Sequence, residues 1–333
     1  MSNQRKFGFF IGRFQPVHAG HIAVIGQAAS QVDQLVVMIG SANACRSIKN
    51  PWNFQERVDM IRKKLFQENI KNVVFVPLND YPYNDHRWMT EVRAIVNEYD
   101  QSPTHANTTL FGAWKDGNDY LNWFPELRYK SLPISHNHLN ATDIRNRMFE
   151  ENDPVVPATV MDDYKFYKKE EQLFSGYPFP ETLNFNCADA VVTCLGHVLL
   201  IERKFAPGRG TWALPGGFRN ARETFLQCAV RELREETNLR VPERVLLGSV
   251  KSSKLYDNPN RSFGIPRNTL AVHFDIAPDA GGSLPRANGS DDATRAEWIE
   301  MNYAINQLAL YDDHLHIIQD MTGIVQDFAF TRM

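Results

Sequence analysis

The sequence lacks several features that would assign it to a special class. No apolar run approaches the roughly 18 residues needed to cross a bilayer, and the N-terminus lacks the apolar core and cleavage site of a secretion signal. The four cysteines are scattered without a CxxC pair, so neither a disulfide framework nor a zinc site is indicated. The net charge of -3 gives no global basic field for nucleic acid. We therefore expect a cytoplasmic protein that binds neither membranes nor nucleic acid, either as a monomer or as a homo-oligomer.

What is present is the composition of an ordinary folded protein, with 43% hydrophobic and 23% charged residues. At 333 residues the chain exceeds the usual single-domain size of ~100–200 residues, which predicts two globular units. The stretch 175–180 has the composition of a linker. We place the domains at 1–175 and 183–333.

The first domain alternates short apolar runs with helical patterns. The runs predict strands at 7–11, 35–39, 73–78 and 109–111. The helical spacing predicts helices at 21–29, 54–67, 88–99, 142–151 and 157–173, with Asn53 as the N-cap of the second. This alternation predicts an α/β, Rossmann-like domain with a parallel sheet, whose ligands lie at the carboxyl ends of the strands.

The second domain has a different pattern, that of an α+β fold. Strands are predicted at 190–194, 198–201, 245–250 and 270–276, one strong helix at 224–237, and a final helix at about 305–321. The stretch 251–268 is predicted to be a loop.

The run 12–21 carries the first chemical signature, because it leaves a strand and enters a helix. Backbone N–H groups and the positive end of the helix dipole can bind phosphate there. Gly12 and Gly20 permit close backbone approach. Arg13 adds a positive charge, and His18 and His21 can donate hydrogen bonds to a triphosphate.

These residues resemble the (H/T)xGH element of the nucleotidyltransferase superfamily, and more closely the archaeal-type nicotinamide mononucleotide adenylyltransferases. The segments 40–43 and 47–57 are similar to that family's GSA…SIRNPF…GER, and 140–145 is similar to its SxTxIR phosphate motif. Lys49 stands where the family has Arg, which keeps the charge but loses bidentate geometry. Asn140 stands where it has Ser and remains an adequate N-cap.

The resemblance implies the roles of the site residues. Those that would stabilise the phosphates are Arg13, His18, His21, Lys49 and Arg145. Further substrate contacts would come from Gly12, Phe14, Asp80, Asn84, Trp88, Thr142 and Ile144. Trp88 resembles the tryptophan that stacks on the nicotinamide ring, but it equally fits the apolar stripe of its helix. The segment 111–116 is either an adenosine-binding edge or an ordinary turn.

The second signature has the spacing of a Nudix box. It consists of Gly217, Glu223, Arg231, Glu232, Glu235 and Glu236, after a lead-in at 212–218. On one helix the three last carboxylates cluster beside the apolar face, and such oxygen-rich sites suit Mg²⁺ or Mn²⁺. Arg231 would brace the carboxylates, and Glu235 also counts among the catalytic residues. Asn238 replaces the family's Gly and tolerates the left-handed conformation of a helix C-cap.

The order of the two signatures is similar to the bacterial bifunctional nicotinamide mononucleotide adenylyltransferase/ADP-ribose pyrophosphatase family, over nearly the entire chain. The resemblance implies ADP-ribose as the second substrate. Tyr256, Arg261 and Phe263 could stack and clamp its adenine, although an unengaged surface loop fits equally well. Asp292 or Glu297 could orient the attacking water.

We therefore expect a bifunctional enzyme of NAD metabolism. Its first domain would transfer AMP from ATP to nicotinamide mononucleotide, giving NAD and pyrophosphate, and its second would hydrolyse ADP-ribose to AMP and ribose 5-phosphate. In one alternative the Nudix domain is a non-catalytic sensor of ADP-ribose or NAD. In another the acceptor is a different mononucleotide, such as the nicotinic acid form, flavin mononucleotide or phosphopantetheine.

Overall fold

The computed structural model describes residues 5–113, 122–133, 139–179, 183–290 and 293–325. The described chain divides into two compact units. The first contains the residues up to 44 together with 50–156, and the second contains 45–49 together with the residues from 157 onward. The predicted domain limits of 1–175 and 183–333 stay a prediction.

The first unit is built on a parallel sheet. Its strands β1 to β5 are Phe7–Gly12, Gln34–Ile39, Val73–Pro77, Thr108–Ala113 and Arg128–Leu132. They lie in the order β3-β2-β1-β4-β5, and every neighbouring pair is parallel. Alternate residues of β1 and β2 face opposite sides, so that Phe10 and Val37 join one apolar cluster and Phe9 and Val36 join another. The predicted α/β fold class is thereby confirmed.

Four helices accompany this sheet. They are α1 to α4, at Ala19–Ala29, Phe54–Gln67, Asp85–Tyr99 and Ala141–Glu150. The predicted helix over 54–67 is confirmed with its cap, because the Asn53 side chain accepts a hydrogen bond from Glu56 N and the Glu56 side chain bonds back to Asn53 N. The side chains of Asn84 and Asn140 cap α3 and α4 by accepting hydrogen bonds from Arg87 N and Thr142 N.

Helix α5, at Ala158–Phe174, is grouped with the second unit. Its Tyr167 side chain lies against Phe263, with ring centroids 5.3 Å apart, and its hydroxyl is 3.2 Å from that of Tyr311. Glu170 pairs with Arg267. These contacts lie far apart along the chain, so the periodicity of the helix could not show which unit it joins.

The second unit is built on a mixed sheet. Its strands β6 to β12 are Phe185–Cys194, His197–Arg203, Trp212–Ala213, Gly216–Phe218, Val250–Tyr256, Arg267–Asp275 and Ala293–Glu300. The main path runs β10-β11-β6-β7-β12, with β8 on β7 and β9 on β6. The helices α6 to α9 are Phe225–Thr237, Glu243–Gly248, Met301–Gln307 and His314–Thr322. Helix α6 buries Ala229 and Leu233 against this sheet.

Three expectations about the second unit were wrong. The predicted strand over 245–250 is largely α7, and the predicted loop over 251–268 begins with β10. The apolar run at 245–250 misled because Val245 and Leu247 are exposed and only Leu246 of α7 is buried. The predicted final helix is two helices.

The interruption of the final helix has a tertiary cause. Trp212 N donates to Ala309 O at 3.0 Å, and Tyr311 N donates to Trp212 O at 2.8 Å. This bridge holds the segment between α8 and α9 in an extended path.

No helix in the described part of the chain is both long and apolar enough to cross a membrane.

Asp163 of α5 makes the stability of the second unit depend on pH. Its buried carboxylate accepts a hydrogen bond from Gly208 N at 2.9 Å, and burial raises the pKa of this carboxyl from 3.8 to about 6. Between pH 3.8 and about 6, the Asp163 carboxyl keeps its proton in the folded protein but loses it in the unfolded chain. The stability from this group is therefore complete below its ordinary pKa and is lost as pH rises to about 6. We expect Asp163→Asn to gain thermal stability relative to the wild type over this window, measured as the shift in Tm.

The control for this prediction is Asp257→Asn, because Asp257 is exposed and lies in the segment between β10 and β11. Its Tm difference from the wild type should not change between pH 4 and 6. Some pH dependence should remain in Asp163→Asn, since burial also raises the pKa of Asp312 to about 6. A Tm difference between Asp163→Asn and the wild type that is the same across this window would contradict the assignment.

Candidate active sites

The first candidate site is the loop between β1 and α1. Gly12 is required here because a Cβ at this position would lie 2.7 Å from the Phe14 ring. Phe14 adopts a positive φ of 55° and its side chain is buried, edge-on to the rings of Phe10 and His21. The predicted strand–loop–helix passage is confirmed. The buried Phe14 ring packs against the loop residue His21. A contact between Phe14 and the substrate stays a prediction.

The two histidines of the loop lie face to face. Their ring centroids are 3.7 Å apart, with 25° between the planes. His21 Nδ1 accepts a hydrogen bond from His18 N at 3.3 Å. A neutral His21 then carries its proton on Nε2, where it can donate to a phosphate oxygen. His18 is the N-cap residue of α1, so both rings lie at the positive end of the helix dipole.

Arg57, the last residue of the 47–57 segment, holds this loop in place, a role that its position in the segment does not reveal. Its side chain is fully buried on α2. Nη1 donates to Arg13 O at 2.8 Å and to Gly40 O at 2.6 Å, Nη2 to Ser41 O at 3.1 Å, and Nε to Asn53 O at 3.1 Å. Burial lowers the pKa of the guanidinium to about 10. One side chain thus connects the ends of β1 and β2 to α2.

We expect Arg57→Met to destabilise the first unit strongly. Three backbone carbonyls, Arg13 O, Gly40 O and Ser41 O, would lose this donor, and leaving even one buried acceptor unsatisfied costs about 1–3 kcal/mol. The free energy of unfolding should therefore fall by about 3 kcal/mol or more, measured by urea denaturation. Lys63→Met, at an exposed position of the same helix, should change it by less than about 0.5 kcal/mol. Equal effects of the two variants would contradict this role of Arg57.

Arg145 reaches the same loop from α4. Its buried guanidinium donates to Gln15 O at 2.7 Å, and burial together with the charge of Arg13 lowers its pKa. At the start of α4 Thr142 N is capped by Asn140, and Ile144 N makes the first helical bond to Asn140 O. The structure therefore brings Arg13, Arg145 and the 12–21 loop together, as expected for residues that meet one triphosphate.

Lys49 has a different setting. It belongs to the segment grouped with the second unit, where Nζ donates to Asn260 O at 2.9 Å. Sequence reasoning could not foresee this, because the two residues are far apart in the chain. The role of Lys49 with phosphate stays a prediction.

The residues predicted to contact the mononucleotide lie around α3. Trp88 is half-buried and packs on the apolar cluster, with its ring centroid 6.1 Å from that of Trp123 and 6.0 Å from that of Phe124. Asn84 Oδ1 caps α3 by accepting from Arg87 N at 3.0 Å, and Asp80 N donates to Asn43 Oδ1 at 3.3 Å. Core packing thus uses part of the Trp88 ring, and its stacking on nicotinamide stays a prediction. Of the segment 111–116, which was predicted to be either an adenosine-binding edge or an ordinary turn, residues 114–116 lie outside the described residues.

The second candidate site is centred on Arg231 of α6. Nε and Nη2 donate to both carboxylate oxygens of Glu223, at 3.0 and 2.6 Å. Nη1 donates to Glu232 at 2.7 Å and to Glu235 at 2.9 Å, and Nη2 also donates to Phe218 O at 3.0 Å. The hydrogen bonds from Arg231 lower the pKa of Glu223 to about 2. One guanidinium therefore braces Glu223, Glu232 and Glu235, whereas the predicted set was Glu232, Glu235 and Glu236.

Glu236 lies apart from this guanidinium and is buried. Its carboxylate accepts a hydrogen bond from Gly216 N at 2.9 Å, and burial raises its pKa to about 8. A Cβ on Gly217 would lie 2.5 Å from the Glu232 carboxylate, which explains the glycine of the box. Asn238 ends α6 at φ 45° and ψ 32°, so its predicted left-handed cap is confirmed.

The fit of this donor set to a divalent cation follows from its chemistry. Glu232 and Glu235 both accept hydrogen bonds from Nη1 of Arg231. Burial raises the pKa of Glu232, so a nearby cation would stabilise the charged form of this carboxylate. Among the described residues no three acidic, histidine or cysteine side chains are already arranged around a common point. The residues fit Mg²⁺ or Mn²⁺ in type, and Glu232 and Glu235 each use one carboxylate oxygen in the bond to Arg231.

The predicted adenine clamp is dispersed. Tyr256 is fully buried, and its hydroxyl donates to Asp320 at 2.7 Å. Arg261 makes a buried two-bond pair with Asp313, at 3.0 and 2.8 Å, and Phe263 packs on α5. Asp292 lies outside the described residues, and Glu297 pairs with Arg295 at 3.1 Å. The structure does not bring Tyr256, Arg261 and Phe263 into one accessible site.

Comparison with known proteins assigns a family to each half of the chain. The Cytidylyltransferase-like family matches residues 9–100, and the NUDIX domain family matches residues 186–321. A nicotinamide/nicotinic acid mononucleotide adenylyltransferase from Acinetobacter baylyi is 36% identical over 148 residues, which is 44% of this chain and 77% of that protein. A nicotinamide-nucleotide adenylyltransferase from Thermococcus onnurineus is 34% identical, over 50% of this chain and 87% of that protein.

One solved structure is similar to the chain over both halves. It is a bifunctional NMN adenylyltransferase/ADP-ribose pyrophosphatase from Francisella tularensis, with 30% identity, a TM-score of 0.85 and coverage of 96% of this chain and 99% of that one. A second structure from that organism, complexed with AMP and a manganese ion, has 29% identity and a TM-score of 0.84 at the same coverage. The fold and the sequence of this chain match these proteins over both halves. The chain therefore belongs to the family of bifunctional NMN adenylyltransferase/ADP-ribose pyrophosphatases.

Proposed function

We propose that the first unit transfers AMP from ATP to nicotinamide mononucleotide, and that the second hydrolyses ADP-ribose to AMP and ribose 5-phosphate. The observation that carries both activities is the presence of two sites in one chain, the His18–His21 loop at α1 and the carboxylates around Arg231 on α6. We keep the cytoplasmic location and the homo-oligomer as predictions.

In the adenylyl transfer, a phosphate oxygen of the mononucleotide attacks the α-phosphorus of ATP. The bond from that phosphorus to the β-phosphate bridge oxygen breaks, and pyrophosphate leaves with its negative charge. Because no protein nucleophile is needed, the chain contributes position and charge. Arg13 and Arg145 would hold the phosphates, while His18, His21 and the start of α1 would stabilise charge on the transferring and leaving groups.

In the hydrolysis, water attacks one phosphorus of ADP-ribose and the bridging oxygen leaves with the other phosphate. A divalent cation, Mg²⁺ or Mn²⁺, would neutralise the diphosphate and lower the pKa of the attacking water. Glu232, Glu235 and Glu236 would hold it. Arg231 keeps Glu232 and Glu235 on one side of α6, and Gly216 N orients Glu236.

Product analysis tests both activities. Purified protein is incubated with ATP, Mg²⁺ and either nicotinamide mononucleotide or one of the other acceptors, and separately with ADP-ribose and Mg²⁺ or Mn²⁺. Chromatography should show NAD in the first reaction, and AMP with ribose 5-phosphate in the second. Binding of ADP-ribose without cleavage in either metal would support the sensor alternative, and faster product formation with another mononucleotide would reassign the acceptor.

A further inference from the structure

The segment 212–218, which leads into α6, passes from one strand partner to another within a few residues. Its strand β8 pairs with β7, and its strand β9 pairs with β6. Leu214 and Pro215 form the break between the two strands. Because proline has no N–H, Leu214 N is the backbone donor of this break, and Leu214 is buried. A buried donor outside a strand ladder needs an acceptor from elsewhere in the fold.

His314 of α9 supplies that acceptor. Its Nδ1 atom accepts the hydrogen bond from Leu214 N at 2.9 Å, although the two residues are 100 positions apart in the chain. The ring is buried and lies edge-on to that of Tyr311, with centroids 5.7 Å apart. Burial lowers the pKa of His314, so at neutral pH the imidazole is uncharged. Its proton is then on Nε2, and the lone pair of Nδ1 faces Leu214.

The hydrogen bond to His314 fixes the chain just before the groups that would bind metal. Pro215 O accepts from Ala190 N of β6 at 2.8 Å, so both residues of the break are held from outside the segment. Gly216 N follows directly and donates to the Glu236 carboxylate at 2.9 Å. Gly216 lies so close to β6 that a Cβ there would come within 2.6 Å of a backbone oxygen. A shift of the break therefore moves Gly216 N relative to Glu236.

We propose that His314 is a positioning residue of the hydrolytic site, which holds Leu214 N and thereby places Gly216 N against the Glu236 carboxylate. The inference rests on the proposed hydrolysis of ADP-ribose and adds a residue that lies outside the Nudix box. Without the imidazole, Leu214 N would be unsatisfied in the interior, and the break would have to move to find another acceptor. Removing a partner that orients metal ligands typically lowers metal affinity or activity by about 10–100-fold.

Direct Mn²⁺ binding and steady-state hydrolysis of ADP-ribose test this role in the full-length protein. His314→Leu keeps a buried apolar side chain and removes the acceptor, so the dissociation constant for Mn²⁺ should rise about tenfold or more, with a similar fall in kcat/KM. Free Mn²⁺ is measured by electron paramagnetic resonance without nucleotide, and the binding that Glu236→Gln loses identifies the site. His314→Asn should stay close to the wild type, because Asn Oδ1 comes near the position of Nδ1 and can accept from Leu214 N.

Hydrogen–deuterium exchange reports on the segment 212–218 without relying on either activity. A peptide that covers this segment should exchange faster in His314→Leu than in the wild type, because the break is no longer held. It should exchange at the wild-type rate in His314→Asn. A peptide from β2 in the first unit should exchange equally in all three proteins.

The matched control is His316→Leu, the same substitution two positions along α9, where the side chain points to another side of the helix. It should leave Mn²⁺ binding, hydrolysis and the exchange of 212–218 unchanged. The thermal-unfolding profile of each variant shows whether it is folded. If His314→Leu does not fold, His314→Gln takes its place, because the longer side chain carries its amide beyond the position of Nδ1.

The inference and the proposed function can fail separately. A wild type that binds Mn²⁺ without cleaving ADP-ribose would refute the hydrolysis, and weaker Mn²⁺ binding in His314→Leu but not in His314→Asn would still support the positioning role. Unchanged Mn²⁺ binding in His314→Leu would overturn that role even if the wild type is an active hydrolase. Equal losses in folded His314→Leu and His314→Asn would also overturn it, because the acceptor would then not be what matters.

Discussion

His18→Ala should reduce synthesis of the dinucleotide by about a hundredfold or more and leave hydrolysis of ADP-ribose unchanged. His18 begins α1, and its ring stacks on that of His21 at 3.7 Å. Its loss removes one donor to the phosphates and also leaves His21 without the ring that orients it. The measurement is the initial rate of NAD formation from ATP and nicotinamide mononucleotide.

The hydrolytic activity of the same preparation is the control, because it reports on a separate site in the same molecules. The thermal-unfolding profile should match that of the wild type. A His18→Ala protein that still makes NAD at the wild-type rate would show that the loop between β1 and α1 does not perform the transfer.

Glu236→Gln should have the reverse effect, lowering kcat for ADP-ribose by about a thousandfold and sparing NAD synthesis. Glutamine keeps the shape and can still accept the hydrogen bond from Gly216 N, but it cannot supply the negative charge that a divalent cation requires. Hydrolysis is measured at saturating Mg²⁺ and again with Mn²⁺, to separate weak metal binding from lost chemistry.

Glu243→Gln is the matched control, since Glu243 is exposed on α7 and pairs with Arg234, at 3.0 Å. It should retain hydrolysis. If Glu236→Gln were as active as this control, Glu236 would not be needed for cleavage. If either His18→Ala or Glu236→Gln removed both activities while the protein stayed folded, the two sites would not act independently.

Much of the first unit could be predicted from local pattern. Asn53 and Glu56 form a capping box whose two bonds span three residues, so α2 was located to the residue. Strands buried on both faces form continuous apolar runs, as in β2. Strand β5 was missed because four of its five residues are exposed, so it carries no such run.

The second unit shows where local pattern misleads. The apolar stretch at 245–250 looked like a strand, yet α7 buries Leu246 and leaves its neighbours in solvent. The final helix was predicted to be continuous, but pairing with Trp212 separates α8 from α9. In both cases the deciding partner lies elsewhere in the chain.

The sequence by itself determined the two chemistries, because each depends on residue types at short fixed spacings, the histidines around the start of α1 and the carboxylates along α6. Only the tertiary structure decided what supports them. The Arg57 side chain donates to carbonyls of two loops. The Tyr256 side chain is buried in the core, whereas Phe218 is exposed. These outcomes follow from burial and long-range hydrogen bonds, which join residues that no local spacing relates.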